Sequence, residues 1–390
     1  FSDAHQLGNT KTRWSAARIS SCARTRSFSS GCSAPPFHFP PAAAQRKCAM
    51  RFRPVFLFNC IPLLFACGSG ARRDQAATDY TITFSSCLSQ FGDTSLWNTI
   101  AREKSQLFLF TGDTIYADTL DLGVKRASFA RLNADPNYRD FKKKTRVLAV
   151  WDDHDYGYND AGGSYRMKKQ MQKIFLDAFA EPQNSPRRKQ EGIYTAEELN
   201  LGGRVIQIIV LDVRYFRTDW SYGPKAPPFS RIYVEDSRDT STMLGAAQWQ
   251  WLAGQIQRPA DLRILVSSTP VLSDDYLGER WGAFPKERAR LYREMAGAKT
   301  GKWLIVTGDR HFAQLLEVKN VLPYTLTELT ASGMNTVWED GSQFPDRLRV
   351  GQTIADYNYG TLRISGGNRS VAYSLHGSDG RAVLSGKLDF

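Results

Sequence analysis

Metal-binding side chains follow four apolar runs of the sequence, each at the point where the run stops. The four segments are FSSC with Cys87, FTGDTIY with Asp113 and Tyr116, VWDDHD with Asp153 and His154, and VTGDRH with Asp309 and His311. Carboxylate and phenolate oxygens suit hard or trivalent ions, whereas imidazole suits borderline transition metals. Each segment alone has a simpler explanation, such as a turn, a cap, a solvated loop or a small core cysteine. Together they predict a site for two or more cations.

Two cations held side by side favour one class of reaction. They can clamp the attacking and leaving oxygens of a phosphoryl group and lower the pKa of a water molecule between them. The ligand pattern therefore predicts metal-assisted hydrolysis of a phosphate ester.

The elements that would position these side chains alternate between apolar strands and amphipathic helices. Strands are predicted at Tyr80–Ser86, Leu107–Thr111, Val147–Trp151, Val205–Leu211, Ile264–Ser267 and Trp303–Thr307. Helices are predicted at Leu96–Lys104, Val124–Asn133, Tyr165–Ala180, Leu244–Gln257 and Lys286–Met295, from apolar spacings of three and four. Beyond residue 313 strands follow one another, at Leu315–Val318, Thr325–Thr330, Gly360–Ile364, Val371–Leu375 and Ala382–Leu388.

This order of elements predicts an α/β fold, a four-layer α-β-β-α sandwich of two mixed sheets. In open α/β sheets the carboxyl ends of the strands line the ligand crevice, so the four segments should converge there. The segments 182–189 and 221–240 are predicted to be surface loops, the second long enough to border a site.

Seven short motifs carry a resemblance to a known family. In chain order they are FSSC, FTGDTIYAD, WDDHDYGYND, LDVRYFR, LGAAQWQWL, SSTPVL and TGDRHFAQL, and they cover roughly residues 80–365. The set resembles the PhoD-type alkaline phosphatase/phosphodiesterase family of the calcineurin-like metallophosphoesterases. Asp113 followed three residues later by Tyr116 is also the pattern of purple acid phosphatases.

The resemblance implies which residues bind which metal. It assigns an iron ion, as Fe³⁺, to Cys87, Asp113, Tyr116 and His311. Asp113 would bridge to a second ion, expected to be Ca²⁺, that Asp153 and Asp309 complete. Many metallophosphoesterases have His or Asn where this chain has these two aspartates, and the more anionic site suits Ca²⁺ better than Zn²⁺. Zn²⁺ and Mn²⁺ remain the alternative ions.

The resemblance also implies a mechanism. A metal-bound hydroxide would attack phosphorus in line, without a phosphoenzyme, while His154 protonates or stabilises the leaving oxygen. Arg214 and Arg310 could bind phosphate oxygens in a bidentate way, although an ion pair of Arg214 with Asp212 explains the former equally well. Asn159 and Asp160 could shape the pocket.

Two other functions fit parts of the sequence. The first is a thiol hydrolase in which Cys87 acts with His154 or His311, which would be sensitive to alkylation and indifferent to chelator. The second is a non-catalytic, metal-stabilised binding lipoprotein. The first leaves the acidic residues unexplained, and the second does not explain His154 beside a full set of ligands.

Charge and cysteine content exclude further classes. The formal net charge is +12, but nine basic residues against one acidic residue lie within the first 66. The remaining chain is nearly balanced, so it has no electrostatic footprint for nucleic acid. No cysteine follows Cys87, so no disulfide framework supports the fold.

The beginning of the chain differs in composition from the rest. Residues 1–49 are interpreted as an unstructured or upstream-translated leader, and residues 50–67 as a signal peptide whose LFAC segment resembles a lipoprotein cleavage box. Residues 68–79 would be a linker and residues 80–390 one catalytic domain. The expected protein is exported, as a periplasmic or cell-surface lipoprotein or a secreted enzyme, touching the membrane only through a lipid on Cys67. It is expected to be a monomer that binds phosphate mono- or diesters.

Overall fold

The computed structural model describes residues 79–224, 232–274, 278–338 and 345–390. These residues belong to one compact unit. The predicted leader, signal peptide, lipid-bearing Cys67 and nearly all of the linker lie outside the described residues, so these boundaries stay predictions. No helix in the described ranges combines the length and the apolar character needed to span a bilayer.

The described residues form fifteen strands. They are β1 (Tyr80–Ser85), β2 (Leu107–Thr111), β3 (Arg146–Val150), β4 (Thr195–Leu201), β5 (Arg204–Val210), β6 (Ser221–Gly223), β7 (Ile232–Val234), β8 (Leu262–Ser267), β9 (Lys302–Thr307), β10 (Ala313–Val318), β11 (Leu326–Thr330), β12 (Arg349–Ile354), β13 (Tyr359–Ser365), β14 (Ser370–His376) and β15 (Ala382–Asp389).

Seven α-helices lie between these strands. They are α1 (Leu96–Ala101), α2 (Leu122–Ala134), α3 (Pro136–Lys142), α4 (Asp153–Tyr156), α5 (Lys168–Ala178), α6 (Gly245–Ile256) and α7 (Pro285–Ala296). Local sequence explains where several begin. The Asp121 carboxylate accepts hydrogen bonds from the first backbone N–H groups of α2, and Asp135 does the same for α3, which has proline at its first position.

The strands form two large mixed sheets, which confirms the predicted fold class. The first has the order β15-β14-β13-β1-β2-β3, in which β1, β2 and β3 run parallel. The second has the order β12-β10-β11-β9-β8-β5-β4, in which β5, β8, β9 and β11 run parallel. Strands β6 and β7 form a separate antiparallel hairpin.

Alternation along the buried strands divides the apolar residues between two cores. In β8, Ile264 and Val266 belong to a cluster that also contains residues of the first sheet, such as Ile82 and Phe84. Their neighbour Leu265 belongs to a second cluster, together with residues of α6 and α7. Because side chains alternate across a strand, this pattern places one sheet face against the other sheet and the opposite face against helices.

Glycine allows the carboxyl ends of the two sheets to approach each other closely. A Cβ atom on Gly308, which follows β9, would lie 2.3 Å from the carbonyl oxygen of Thr111 in β2. Gly112, which follows β2, has a φ of 106° and would place a Cβ 2.6 Å from that of Asp152. The Gly-Asp pairs at 112–113 and 308–309 therefore sit where the backbone leaves no room for a side chain on the glycine.

Several predicted boundaries were wrong, for local reasons. Helix α1 ends before Lys104, which has a left-handed φ of 51°. The helix predicted from Tyr165 begins only at Lys168, and the predicted loop 221–240 contains β6 and β7. Strand β4, with the polar sequence TAEELNL, and strand β12 lack the apolar alternation that reveals the other strands.

The first prediction concerns the contact between the sheet ends. We expect Gly308→Ala to lower the free energy of unfolding by about 3 kcal/mol, because the added carbon meets backbone that cannot move aside. Gly254→Ala is the control: this exposed glycine in α6 has open space around it, so alanine should stabilise the protein by about 1 kcal/mol. Urea unfolding measures both, and a Gly308→Ala protein as stable as the wild type would contradict the packing described.

Candidate metal centre

The predicted ligands follow strands that end at the same place. Cys87 lies two residues after the end of β1, and Asp113 lies two residues after the end of β2. Asp153 lies three residues after the end of β3. Asp309 and His311 follow β9 of the second sheet. Parallel neighbouring strands present their carboxyl ends at one sheet edge, so the topology brings these side chains together.

The first group of close ligand atoms joins both sheets. Ligand atoms of Cys87, Asp113 and His311 all lie within 4.8 Å of one another. The Tyr116 hydroxyl belongs beside them, 3.5 Å from Asp113 Oδ2 and 3.4 Å from His311 Nε2. The four residues that the resemblance assigned to iron are therefore neighbours in space. Thiolate, phenolate, imidazole and carboxylate are a donor set that fits a transition-metal ion.

His311 is held in the form that a metal ligand needs. Its Nδ1 lies 3.0 Å from the Thr336 carbonyl oxygen, which can only accept, so Nδ1 carries the proton and donates. Nε2 then keeps its lone pair and faces Tyr116. Burial lowers the pKa of His311 to about 4, so the imidazole is neutral at physiological pH. A carbonyl on the other ring nitrogen is the usual support of a metal-bound histidine.

The surroundings of Cys87 argue against a nucleophilic role. The thiol is completely buried, with Sγ 3.1 Å from Ser332 Oγ and 3.7 Å from Asp113 Oδ2. Burial raises its pKa, whereas reactive cysteines are partly exposed and have a lowered pKa. A thiolate here needs a neighbouring cation, which favours a ligand over the thiol hydrolase.

Carboxylates dominate the rest of the centre. Three further groups of ligand atoms within 4.8 Å are Asp113 with Asp153 and His154, Asp152 with Glu279 and Asp309, and Asp153 with Asp160 and Glu279. Asp113 belongs to both the first group and this region. Asp309, which was predicted to share an ion with Asp113 and Asp153, lies in the group of Asp152 and Glu279.

Arg214 neutralises part of this charge. Its buried guanidinium donates to Asp152 Oδ1 at 2.5 Å and binds both carboxylate oxygens of Glu279. The alternative ion pair with Asp212 was wrong, because Asp212 instead accepts the backbone N–H of Arg214, at 3.0 Å. Burial raises the pKa of Glu279, but Arg214 outweighs that effect and brings it to about 2. The guanidinium is thus turned toward carboxylates, which explains its burial without a phosphate.

The other carboxylates of the centre are less well neutralised than Glu279. Burial raises the pKa of Asp113 and of Asp309 well above the ordinary value, and that of Asp152 and of Asp160 to about 6. These carboxylates resist ionisation because they are removed from water and placed beside one another. Bound cations would supply the missing positive charge, so the donor set fits them.

His154 stands at the edge of the carboxylate groups. Its Nδ1 lies 2.7 Å from Asp118 Oδ1, and its ring centroid lies 4.4 Å from that of Tyr116. Burial lowers the pKa of His154, but the charges of Asp153 and Asp113 and the bond to Asp118 outweigh it and raise the pKa to about 11. Cations bound to the same carboxylates would bring this value down again.

The other predicted residues lie around the centre. Asn159 is exposed, whereas the adjacent Asp160 is buried and accepts hydrogen bonds from Tyr233 at 2.6 Å and Tyr222 at 3.0 Å. Arg310 is buried between Asp309 and His311, and its charge opposes the burial that raises the pKa of Asp309.

Three acidic residues of the centre, Asp152, Asp160 and Glu279, were missed as ligand candidates. Asp160 was considered only as shaping the pocket, although it ends the acidic segment that begins at Asp152. Glu279 follows no predicted strand and belongs to no motif, so nothing in the sequence places it beside Arg214, 65 residues away.

The backbone of the centre is strained. Nine non-glycine residues among those described have a positive φ, and five belong to the centre: Cys87, Asp113, Asp160, Asp309 and His311, with φ between 49° and 73°. Each such conformation typically costs about 1 kcal/mol or more. Strain collected in one place shows that the fold fixes these side chains against local preference.

The sequence and the fold are similar to those of known proteins. The model of the PhoD-like phosphatase family matches residues 82–343. The solved structure of PhoD has a TM-score of 0.62 at 16% identity, over 80% of this chain and 73% of that chain. GAP50, the anchor in the inner membrane complex of Plasmodium, has a TM-score of 0.47 at 12% identity, over 80% of this chain and 89% of that chain. No curated protein matches the sequence significantly. At 16% identity the structure of PhoD supports the fold alone, while the family match spans every strand end of the centre.

The second prediction concerns Arg214. We expect Arg214→Gln to lower the free energy of unfolding by about 3–5 kcal/mol near neutral pH, because it leaves buried carboxylates without their cation. In the wild type the lowered pKa of Glu279 stabilises the fold above the ordinary carboxyl range, and this contribution disappears as the pH falls toward about 2. The difference in the free energy of unfolding between the wild type and the variant should therefore become smaller between about pH 7 and pH 4, because the carboxylates of the variant take up protons.

Chemical unfolding in the presence of a chelator measures this deficit. Arg381→Gln is the matched control, since Arg381 pairs with Asp379 where both side chains are exposed and should contribute little at any pH. A deficit for Arg214→Gln that is independent of pH would contradict the electrostatic role.

Proposed function

The chain belongs to the PhoD-like phosphatase family, and on that premise we propose that it hydrolyses phosphate mono- or diesters in a metal-dependent reaction. The observation that carries the proposal is the convergence of Cys87, Asp113, Tyr116 and His311 next to a second, purely carboxylate region. One donor set is mixed and the other is oxygen-rich, as two unlike cations would require.

We assign an iron ion to the mixed donor set. The second ion, which we propose to be calcium, would bind to Asp153 and Asp309, with Asp113 between the two. Asp152, Asp160 and Glu279 extend this oxygen-rich region. When bound, the cations would activate water and neutralise charge on the phosphoryl oxygens.

The chain's own groups have separate roles in this proposal. Asp113 sets the distance between the two ligand groups, because its carboxylate belongs to both. His154 keeps a partly exposed side chain at the edge of the centre, where it can give a proton to the leaving oxygen. Arg214 holds Asp152 and Glu279 in place. We assign no covalent intermediate to Cys87, since it is buried and its pKa is raised.

The third prediction separates metal catalysis from thiol catalysis. Chelator should abolish hydrolysis of phosphate esters, and an alkylating reagent should leave it unchanged, because Cys87 is inaccessible.

Asp113→Asn should lower kcat by more than about 100-fold while the protein stays folded, since even the loss of an outer-shell partner typically lowers activity or metal affinity 10–100-fold. Asp121→Asn, on the surface of the same loop, is the control. Inhibition by alkylation alone, with full activity in chelator, would refute metal catalysis.

The fourth prediction tests the assignment of iron. A phenolate bound to Fe³⁺ gives a visible charge-transfer absorption, so the metal-loaded protein should be coloured. Tyr116→Phe should remove this band while circular dichroism shows an unchanged fold, since the Tyr116 hydroxyl contacts the ligands Asp113 and His311 directly. A band that survives the substitution would exclude Tyr116 as the iron ligand.

A further inference from the structure

We propose that Asp118 is a positioning residue that fixes the imidazole of His154 so that Nε2 is presented to the leaving oxygen of the substrate. The inference rests on the proposed function, in which His154 is the proton donor. Its structural basis is the 2.7 Å hydrogen bond between His154 Nδ1 and Asp118 Oδ1.

The hydrogen bond determines which ring nitrogen is available. A carboxylate can only accept, so Nδ1 carries a proton and donates it to Asp118. Rotation of the ring about its Cα–Cβ and Cβ–Cγ bonds would break this bond and move the imidazole away from the Tyr116 ring, which lies 4.4 Å away. Nε2 is thus left as the nitrogen that can act on a bound ester.

The loop that carries Asp118 is held in place by bonds on both sides of it. Gln90 binds the backbone of Tyr116 twice, accepting its N–H at 2.9 Å and donating to its carbonyl oxygen at 2.9 Å. On the other side, the hydroxyl of Tyr165 donates to the carbonyl oxygen of Thr119 at 3.3 Å. The Asp118 side chain is 46% exposed, so the anchored backbone, rather than burial, keeps it directed toward His154.

The backbone of His154 is held independently of Asp118. The buried ammonium of Lys125 donates to the carbonyl oxygens of His154 at 2.7 Å and Asp155 at 3.3 Å. The His154 N–H donates to Asp153 Oδ1 at 3.0 Å. Loss of Asp118 should therefore release the imidazole ring while the backbone and the neighbouring ligand Asp153 stay in place.

The step that depends on this orientation is a proton transfer. As the oxygen of water forms the new bond to phosphorus, the bond from phosphorus to the leaving oxygen breaks, and the leaving oxygen keeps the electron pair. The leaving oxygen takes the Nε2 proton of His154, and the proton given up by the attacking water restores the histidine. An alcohol leaving group needs this proton, whereas an acidic phenol departs as the anion without it.

This difference provides the test. With the full-length, metal-loaded protein, Asp118→Ala should lower kcat on an alkyl phosphate ester by about 10- to 100-fold, and on the 2,4-dinitrophenyl ester by less than about threefold, because general acid catalysis contributes ~10²–10⁴-fold only where it is needed. Asp118→Asn keeps an oxygen that can accept from Nδ1, so it should restore most of the lost rate. The metal content should equal that of the wild type in both variants.

Two further variants complete the experiment. Asp118→Ala should have no additional effect in a His154→Ala background, because the ring that it positions is gone. Asp121→Ala is the control, since Asp121 caps α2 through Gly123 N–H at 2.7 Å in the same loop without touching His154, and it should affect both esters alike. Equal losses on both esters, additive effects with His154→Ala, or a loss of metal would overturn the role of Asp118 and leave the proposed function intact. A metal-loaded wild type that hydrolyses neither ester would overturn both.

Discussion

The structure depends on gathering several carboxylates in one buried place, where each makes ionisation of the others harder. Asp113, Asp152 and Asp309 follow β2, β3 and β9, whose carboxyl ends meet where the two sheets approach each other closely. Burial raises the pKa of all three carboxyls, and Arg214 offsets only part of the charge. The left-handed backbone at Asp113 and Asp309 adds local strain. Buried carboxylates and strained backbone both destabilise the fold at this site. Bound cations would offset this destabilisation, because they stabilise the ionised carboxylates directly.

The segment Asp152–Asp155 shows how closely structural and chemical roles are combined. Asp152 binds Arg214 and Ser268, the latter at 2.6 Å, and so ties the segment to the second sheet. Asp155 accepts from the backbone N–H and the hydroxyl of Thr114, both at 2.9 Å, and ties it to the loop after β2. Asp153 and His154, between these two anchors, face the ligand groups. Neighbouring side chains of this short segment thus contact different partners. The hydrogen bonds of Asp152 and Asp155 hold Asp153 and His154 in position.

The sequence was sufficient to predict the strands that carry the site, because buried strands are apolar runs and their ends are marked by Gly-Asp or Asp-His pairs. It could not predict what depends on contacts between distant segments. The pairing of Arg214 with Glu279, the inclusion of Asp160 among the carboxylates and the place of Asp309 beside Asp152 all depend on how loops pack after the sheets form. The tautomer of His311 is likewise set by a carbonyl, that of Thr336, which sequence alone cannot place. Short elements such as α4 fall below the length at which a periodic pattern can be recognised.

We propose that this acidic centre holds two cations that share Asp113. An anomalous-difference map from crystals of protein purified without chelator tests it most directly, since it locates and identifies metals without reference to activity. We expect one peak with the absorption edge of iron among Cys87, Asp113, Tyr116 and His311. We also expect a second ion that contacts Asp113 as well. Crystals in which Asp113 contacts no metal, or in which metals bind only outside these groups, would contradict it.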